Sequence, residues 1–424
     1  MKGTYCSAAA VLLAAALCAT CGGSSSSTGG TPSDASGPPG PLPWDLHLQP
    51  VAVPVTTSTF QPQLTSSPKG VILSWVELGE AGAALKFIER GTGDWSEPRT
   101  VATSEDWFMT PADVPSVLRL SSGTLVATLY PTTDGDAEAY DTQLTYSMDD
   151  GRTWSGPTTP HHDGTKTQHG FTTLFEMPDK GLGLVWLDGR AANAPIGDPD
   201  KGTMGLYFTS FDPQWRQTPE ALVDARVCEC CQTSAAVTPD GVLTAFRDRT
   251  QGEVRDIAIS RRNSGTWTQA QIVRADGWTI QACPVNGPAI SARDRDVAIA
   301  WFTAANDQPH AYAAFSQDAG RTWGQPIRLD DVSTEGKVDI ELLPDGSAAA
   351  SWVEFAKDTS TLQVRRVRPS GNRSAAVAVS AGRVRGYPRM VQWSDQLVFA
   401  WSEPGGIGER VQVAVGHLPP STAR

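Results

Sequence analysis

The chain has 424 residues, a formal net charge of −12 and 14 tryptophans. No run of Lys or Arg forms a stripe, so an acidic chain of this kind has no face for nucleic acid. Beyond residue 22 no apolar stretch approaches the ~20 residues of a membrane-spanning helix, so the remainder reads as a soluble fold.

The first elements are those of export. Lys2 precedes an apolar run, Ala8 to Leu17, which is too short to cross a bilayer and has the form of a signal-peptide core. Cys18 and Cys21 follow, then a Gly/Ser/Pro stretch that cannot bury enough apolar surface to order itself. The arrangement resembles a bacterial lipoprotein leader. Cys21, preceded by the small pair Ala19-Thr20, suits lipidation better than Cys18, which follows Leu17. The expected organisation is a leader over 1–21, a tether over 22–43 and a folded domain over 44–424. The expected location is the cell envelope, periplasmic or cell-surface, with the membrane reached only through the lipid; plain secretion is the alternative.

A β-like phrase then recurs seven times: a polar turn, an alternating apolar run and a tryptophan or its stand-in. The anchors are Trp75, Thr128, Trp186, Phe246, Trp301, Trp352 and Trp401. Their spacing of roughly 50 to 60 residues is that of a four-stranded propeller blade. Short apolar runs separated by turns such as Ser122-Gly123, Asp240-Gly241 and Asp345-Gly346, without helical periodicity, predict an all-β fold. The expected architecture is a single β-propeller of seven four-stranded blades, with six as the alternative count. The last repeat lacks an outer strand, and WDLHLQPVAVPV from Trp44 resembles one, so this N-terminal strand is expected to close the ring.

Two phrases, Ser147 to Trp154 (SMDDGRTW) and Ser316 to Trp323 (SQDAGRTW), carry Ser-x-Asp-x-Gly-x-Thr-Trp. Degenerate copies run from Ser260 to Trp267, Ser210 to Trp215 and Glu89 to Trp95. An Asp that caps its own turn, a Gly with unusual backbone angles and a packing Trp explain the pattern. It resembles the Asp-box, or BNR repeat, of sialidase-like propellers. That family usually has six blades; seven repeats depart from it.

In a propeller the starts of the inner strands meet near the axis, on the face away from the Asp-boxes. The expected binding funnel is therefore Asp113, His169, Gln232, Asn286 and Lys337, with Tyr387 at the last inner strand and Arg190, Arg247 and Arg385 from adjoining segments. The same face collects Cys228, Cys230 and Cys231 of CECC and Cys283 of ACPVNGP. Strained small rings disfavour some pairings, so disulfides Cys228–Cys231 and Cys230–Cys283 are expected in an exported chain. The alternative is a thiolate metal site for copper or zinc, helped by His169 or by His161 and His162; no metal or other cofactor is favoured.

The resemblance implies an exo-α-sialidase-like glycan-processing or glycan-binding protein. Such enzymes hold an anionic sugar with three arginines and cleave with a Tyr paired to a Glu and an Asp acid/base. Arg255 matches the second arginine, and Arg385 or Arg389 beside Tyr387 the third; Asp113-Val114-Pro115 stands where the first would be. Asp136, or its neighbours Asp134 and Asp141, is the candidate acid, and Gln232 occupies the expected Glu position. If the protein is an enzyme, it is a glycoside hydrolase with an incomplete arginine triad. The alternatives are a non-catalytic propeller for a glycan or a cell-surface protein partner, or a cysteine-dependent metal or redox propeller. A monomer is expected.

Overall fold

The computed structural model describes residues 41–418 except 56–57, 81, 135–138, 194–201 and 406–407. The leader and nearly all of the tether, with Cys21, and also Asp136, lie outside the described residues. The described chain forms seven antiparallel sheets.

Blade 1 runs through Thr59–Ser67, Gly70–Gly79, Gly82–Arg90 and Arg99–Ser104, and each later blade repeats this up-and-down order outward from the axis. The inner strands of the other six blades are Val117–Arg119, His169–Glu176, Ser234–Thr238, Ala289–Arg293, Ser333–Leu342 and Arg385–Trp393. Blade 7 takes its outermost strand from the other end of the chain. Leu48–Pro50 pairs antiparallel with Glu409–His417, from Leu48 opposite Gly416 to Pro50 opposite Ala414. The expected closing strand is thus in place, and it covers an edge that would otherwise be open. Blade 2 is the thinnest, three strands whose fourth is reduced to a single bridge between Leu144 and Thr158.

The second strand of each blade explains the repeat in the sequence. It is sandwiched by neighbouring strands and by the two adjacent sheets, so it is apolar on both faces rather than alternating. All seven anchors are buried. Several anchor tryptophans satisfy the indole N–H through a carboxylate two residues later: Trp186 to Asp188 (2.8 Å), Trp352 to Glu354 (3.3 Å) and Trp401 to Glu403 (2.8 Å).

The core is divided among the seams between blades. One seam packs Val76 and Phe87 of blade 1 on Val117 and Leu125 of blade 2. Another sets Ala298 and Ala300 of blade 5 against Val338, Ile340 and Trp352 of blade 6. The closing seam joins Leu73 and Trp75 of blade 1 to Val398 and Val413 of blade 7.

The two complete Asp-box phrases fasten these seams on one face. Asp149 accepts the backbone N–H groups of Arg152 (3.1 Å) and Thr153 (2.9 Å) and the Thr153 hydroxyl (2.8 Å); Asp318 repeats this with Arg321 and Thr322. Gly151 has φ 80°, and a Cβ there would meet the Phe87 ring at 2.5 Å. Trp154 meets that Phe87 edge-on, at 6.1 Å between centroids. Arg119 adds a charged rivet, bonding Glu89 twice across the same seam (2.8 and 2.7 Å) and Asp150 of its own blade (2.8 Å).

Trp352 has no exposed surface, so Trp352→Ala leaves a large cavity at the seam of blades 5 and 6. It is expected to cost about 3–5 kcal/mol, read as a lowered urea midpoint with the fluorescence of the remaining tryptophans as probe.

Candidate functional site

The face opposite the Asp-boxes is shaped by a recurrent irregularity. Four inner strands shift register just after they begin: between Phe60 and Gln63, at Gly336–Asp339, between Arg385 and Arg389, and at His169–Thr173 opposite Val185/Leu187. Each shift contains left-handed backbone: Gln61 (φ 55°), Phe171 (52°), Lys337 (50°) and Gly386 (60°). Bulges of this kind bend a strand and re-aim its side chains. Here they turn backbone groups toward neighbouring blades.

Most of the expected funnel residues are consumed in tying the inner-strand starts together. Gln232 donates to the Ala112 carbonyl (2.7 Å), which skips a blade, and accepts from Gly287 N–H (3.1 Å). Asn286 accepts from Lys337 N–H (2.7 Å) and donates to the Pro284 and Glu335 carbonyls (both 3.1 Å). Asp113 is buried and accepts from the Tyr140 hydroxyl (2.5 Å) and Phe171 N–H (2.7 Å). Gly170 allows this approach, since a Cβ there would sit 2.1 Å from the Tyr140 hydroxyl and 2.3 Å from Asp113 Oδ2. Arg247 gives its guanidinium to three carbonyls: Asn286 (2.9 Å), Arg255 (2.6 Å) and Phe302 (2.7 Å). Lys337 pairs with Glu335 at 2.9 Å, and Arg385 is an exposed strand residue opposite Ser402.

The candidate catalytic residues are distributed rather than convergent. Tyr387 donates its hydroxyl to the Val285 carbonyl (2.5 Å). Among the described residues no carboxylate bonds it. Arg389 lines the axial channel, a cavity of about 570 Å³ bounded by all seven inner strands. Arg255 lies instead among Glu229 (3.1 Å), Glu253 (2.9 Å) and Cys228 Sγ (3.4 Å). Asp134 is exposed, 3.6 Å from Lys166. Half-buried Glu341 also faces the channel; desolvation, with Asp339 nearby, pushes its carboxyl up to about 8.

The cysteines do converge, but not as expected. All four are free thiols, and neither expected disulfide is formed. Cys228 Sγ stands 3.0 Å from Cys231 Sγ and 3.7 Å from Cys230 Sγ, against ~2.05 Å for a disulfide. Cys283, which is exposed, stands beside Cys230 but outside the converging group of three. The physical reason is the tight CECC turn between blades 3 and 4, anchored by Cys228 N–H on the Arg247 carbonyl (2.9 Å), which aims three Sγ atoms at one point. Burial would raise the Cys228 thiol. Hydrogen bonds from Cys230 and Cys231 and the Arg247 charge override it and hold Cys228 well below the ordinary thiol range. Cys230 is raised chiefly by its hydrogen bonds to Cys228 and Cys231, and Cys231 by burial. No histidine joins this group among the described residues.

His169, His161 and Asp141 belong to a different cluster. The imidazoles of His161 and His169 stack 3.8 Å apart at 8° between Asp141 and Asp163. Asp188 lies behind His169 at 3.7 Å and is held by Arg190, which also bonds Glu220 (2.5 Å) and covers the Tyr207 ring at 3.9 Å. Burial alone would lower His169, but Asp141, Asp163 and Asp188 raise it to about 9. The adjacent His161-His162 pair is visible in the sequence; nothing there shows that His161 stacks on His169 between Asp141 and Asp163.

The chain matches no protein-family model and no curated protein sequence. Among solved structures it superposes on the polysaccharide lyase Uly1 with a TM-score of 0.52 at 11% identity, over 85% of this chain and 90% of that one. NanB sialidase from Streptococcus pneumoniae, in a point-mutant form, gives 0.49 at 12% identity over 77% and 71%. The phage phi92 endosialidase gives 0.49 at 9% over 90% and 70%. At such identities the likeness is one of fold. The protein is a seven-bladed β-propeller.

Burial pushes Asp113 up to about 6 from the ordinary 3.8, against the lowering bonds from Tyr140 and Phe171. Its proton is therefore retained longer in the folded state. Stability from this group is greatest below pH 3.8, falls as the unfolded chain ionises first, and levels off above about 6. Asp113→Asn is expected to flatten the pH 4–6 fall in stability by up to about 1.4 kcal/mol per pH unit, measured by urea unfolding across that range.

Proposed function

We propose that this protein is an exported, lipid-anchored propeller that binds a thiophilic d10 metal ion, Cu(I) or Zn(II), through the cysteines of its funnel face. The observation that carries this reading is the convergence of the Cys228, Cys230 and Cys231 Sγ atoms within 4.8 Å of one another. Thiolate-only sets select these ions. A metal ~2.3 Å from each sulfur needs sulfurs roughly 3.8 Å apart. Cys228 and Cys230, at 3.7 Å, already meet that spacing. Cys228 and Cys231, at 3.0 Å, would open by less than about 1 Å. Cys283 beside Cys230 offers a fourth sulfur for Zn(II); three suffice for Cu(I). The Arg255 guanidinium donating to Cys228 Sγ, and Arg247 behind it, offset the negative charge of a polythiolate complex and orient its ligands. The leader-like residues 1–21 support export, and a bound metal would shield these thiols in an oxidising compartment.

The mature chain, purified anaerobically, is expected to bind one Cu(I) or Zn(II) per molecule in a chromophoric chelator competition. Cys228→Ser/Cys230→Ser should weaken that binding by tenfold or more. Two disulfides in chain isolated from its own compartment, or binding indifferent to the substitutions, would remove the reading.

A glycan-directed role is the second reading, favoured by the shared fold with a polysaccharide lyase and by Tyr387, Arg255 and Gln232 at the funnel. Tyr387, bonded to a backbone carbonyl and without a carboxylate partner, lacks what a sialidase nucleophile needs. Wild type and Tyr387→Phe are therefore expected to show equal, background rates on a fluorogenic sialoside. Turnover that vanishes in Tyr387→Phe would restore the hydrolase.

A further inference from the structure

We propose a second metal site, separate from the thiols, in which His161 Nε2, His169 Nδ1 and Asp141 Oδ1 bind a borderline divalent ion such as Zn(II). These three atoms are buried, have no hydrogen-bond partner, and lie within 4.8 Å of one another. Asp141 Oδ1 is 3.4 Å from the first nitrogen and 3.3 Å from the second. The neighbouring contacts fix the proton positions. Asp163 faces the opposite edge of both rings, 3.2 Å from His161 Nδ1 and 3.2 Å from His169 Nε2. It is itself oriented by the Thr165 N–H (3.2 Å) and hydroxyl. A carboxylate there retains the proton on each facing nitrogen and leaves the far nitrogen of each ring with a bare lone pair. Two lone pairs and a carboxylate oxygen then meet with no hydrogen between them. In a buried setting that grouping requires a cation.

A proton on His169 alone would still leave the lone pair of His161 Nε2 facing Asp141 Oδ1, and a proton on each ring would stack two imidazolium rings face to face at 3.8 Å. One divalent ion replaces both and removes that repulsion. Carboxylate-to-imidazole contact on the side away from the metal is the usual support for a histidine ligand. Two imidazoles and one carboxylate suit Zn(II), Fe(II) or Mn(II) rather than Cu(I). A cavity of about 550 Å³ opens beside Asp141 and His161, leaving coordination positions for water or a ligand. Binding would splay the parallel rings so that their lone pairs converge.

The test uses Mn(II), which thiolates hold poorly, on the full mature chain. Electron paramagnetic resonance of free Mn(II) is expected to show one ion taken up per chain. Both His161→Ala and Asp141→Asn should weaken uptake at least tenfold, while His162→Ala, at an exposed neighbour, should leave it unchanged. Zn(II) added to the Cys228→Ser/Cys230→Ser variant, whose His161, His169 and Asp141 are intact, should raise its melting temperature, a readout that does not depend on the histidine variants folding. Absence of Mn(II) uptake, or uptake equal in His161→Ala and wild type, would overturn the proposal. Neither result bears on Cu(I) at the cysteines.

Discussion

Everything in this molecule depends on sheets whose two faces are both buried against other sheets. No blade has a core of its own. Val76 and Phe87 of blade 1 are covered only because Val117 and Leu125 of blade 2 lie against them, and the same holds round the ring to Leu73 against Val398. Stability is therefore shared among seams. The interior near the axis is left for polar groups: Glu341, Asp339 and Arg389 face a channel rather than packed hydrocarbon.

That division explains the two ends of the ring. On one face the Asp-box turns and the Arg119 rivet lock neighbouring blades with short local hydrogen bonds. On the other the inner strands bulge, and Gln232, Asn286 and Tyr387 reach across to backbone groups of other blades. The second kind of linkage consumes side chains at the inner-strand starts. Among the described residues, His161 Nε2, His169 Nδ1 and Asp141 Oδ1 are buried there without hydrogen-bond partners, and the cysteine sulfurs converge nearby.

The fold was legible because its cause is periodic. An anchor strand buried on both faces must be apolar throughout, so Trp75, Trp186, Trp301, Trp352 and Trp401 announce their blades. The Asp-box and the closing strand were legible for the same local reasons. The sites were less so. The sequence places Cys228, Cys230, Cys231 and Cys283 on one face. Whether they bond to one another depends on how the CECC turn aims its Sγ atoms, which spacing does not encode. His169 could be assigned to the funnel, yet its association with Asp141 and Asp163 comes from segments outside its own blade's sheet, and that with Asp188 from cross-strand register. Gln61, Phe171 and Lys337 in left-handed backbone leave no mark in the sequence, since none is glycine or asparagine.

The strand Leu48–Pro50 carries a consequence for how the chain matures. Its hydrogen-bonding partner, Glu409–His417, lies near the opposite terminus, so the first strand to leave the ribosome is among the last to find its place. Blades can form one after another as they emerge. The circle cannot shut until the strand Glu409–His417 has been made, and a product cut short before residue 409 would be left with an unsealed gap.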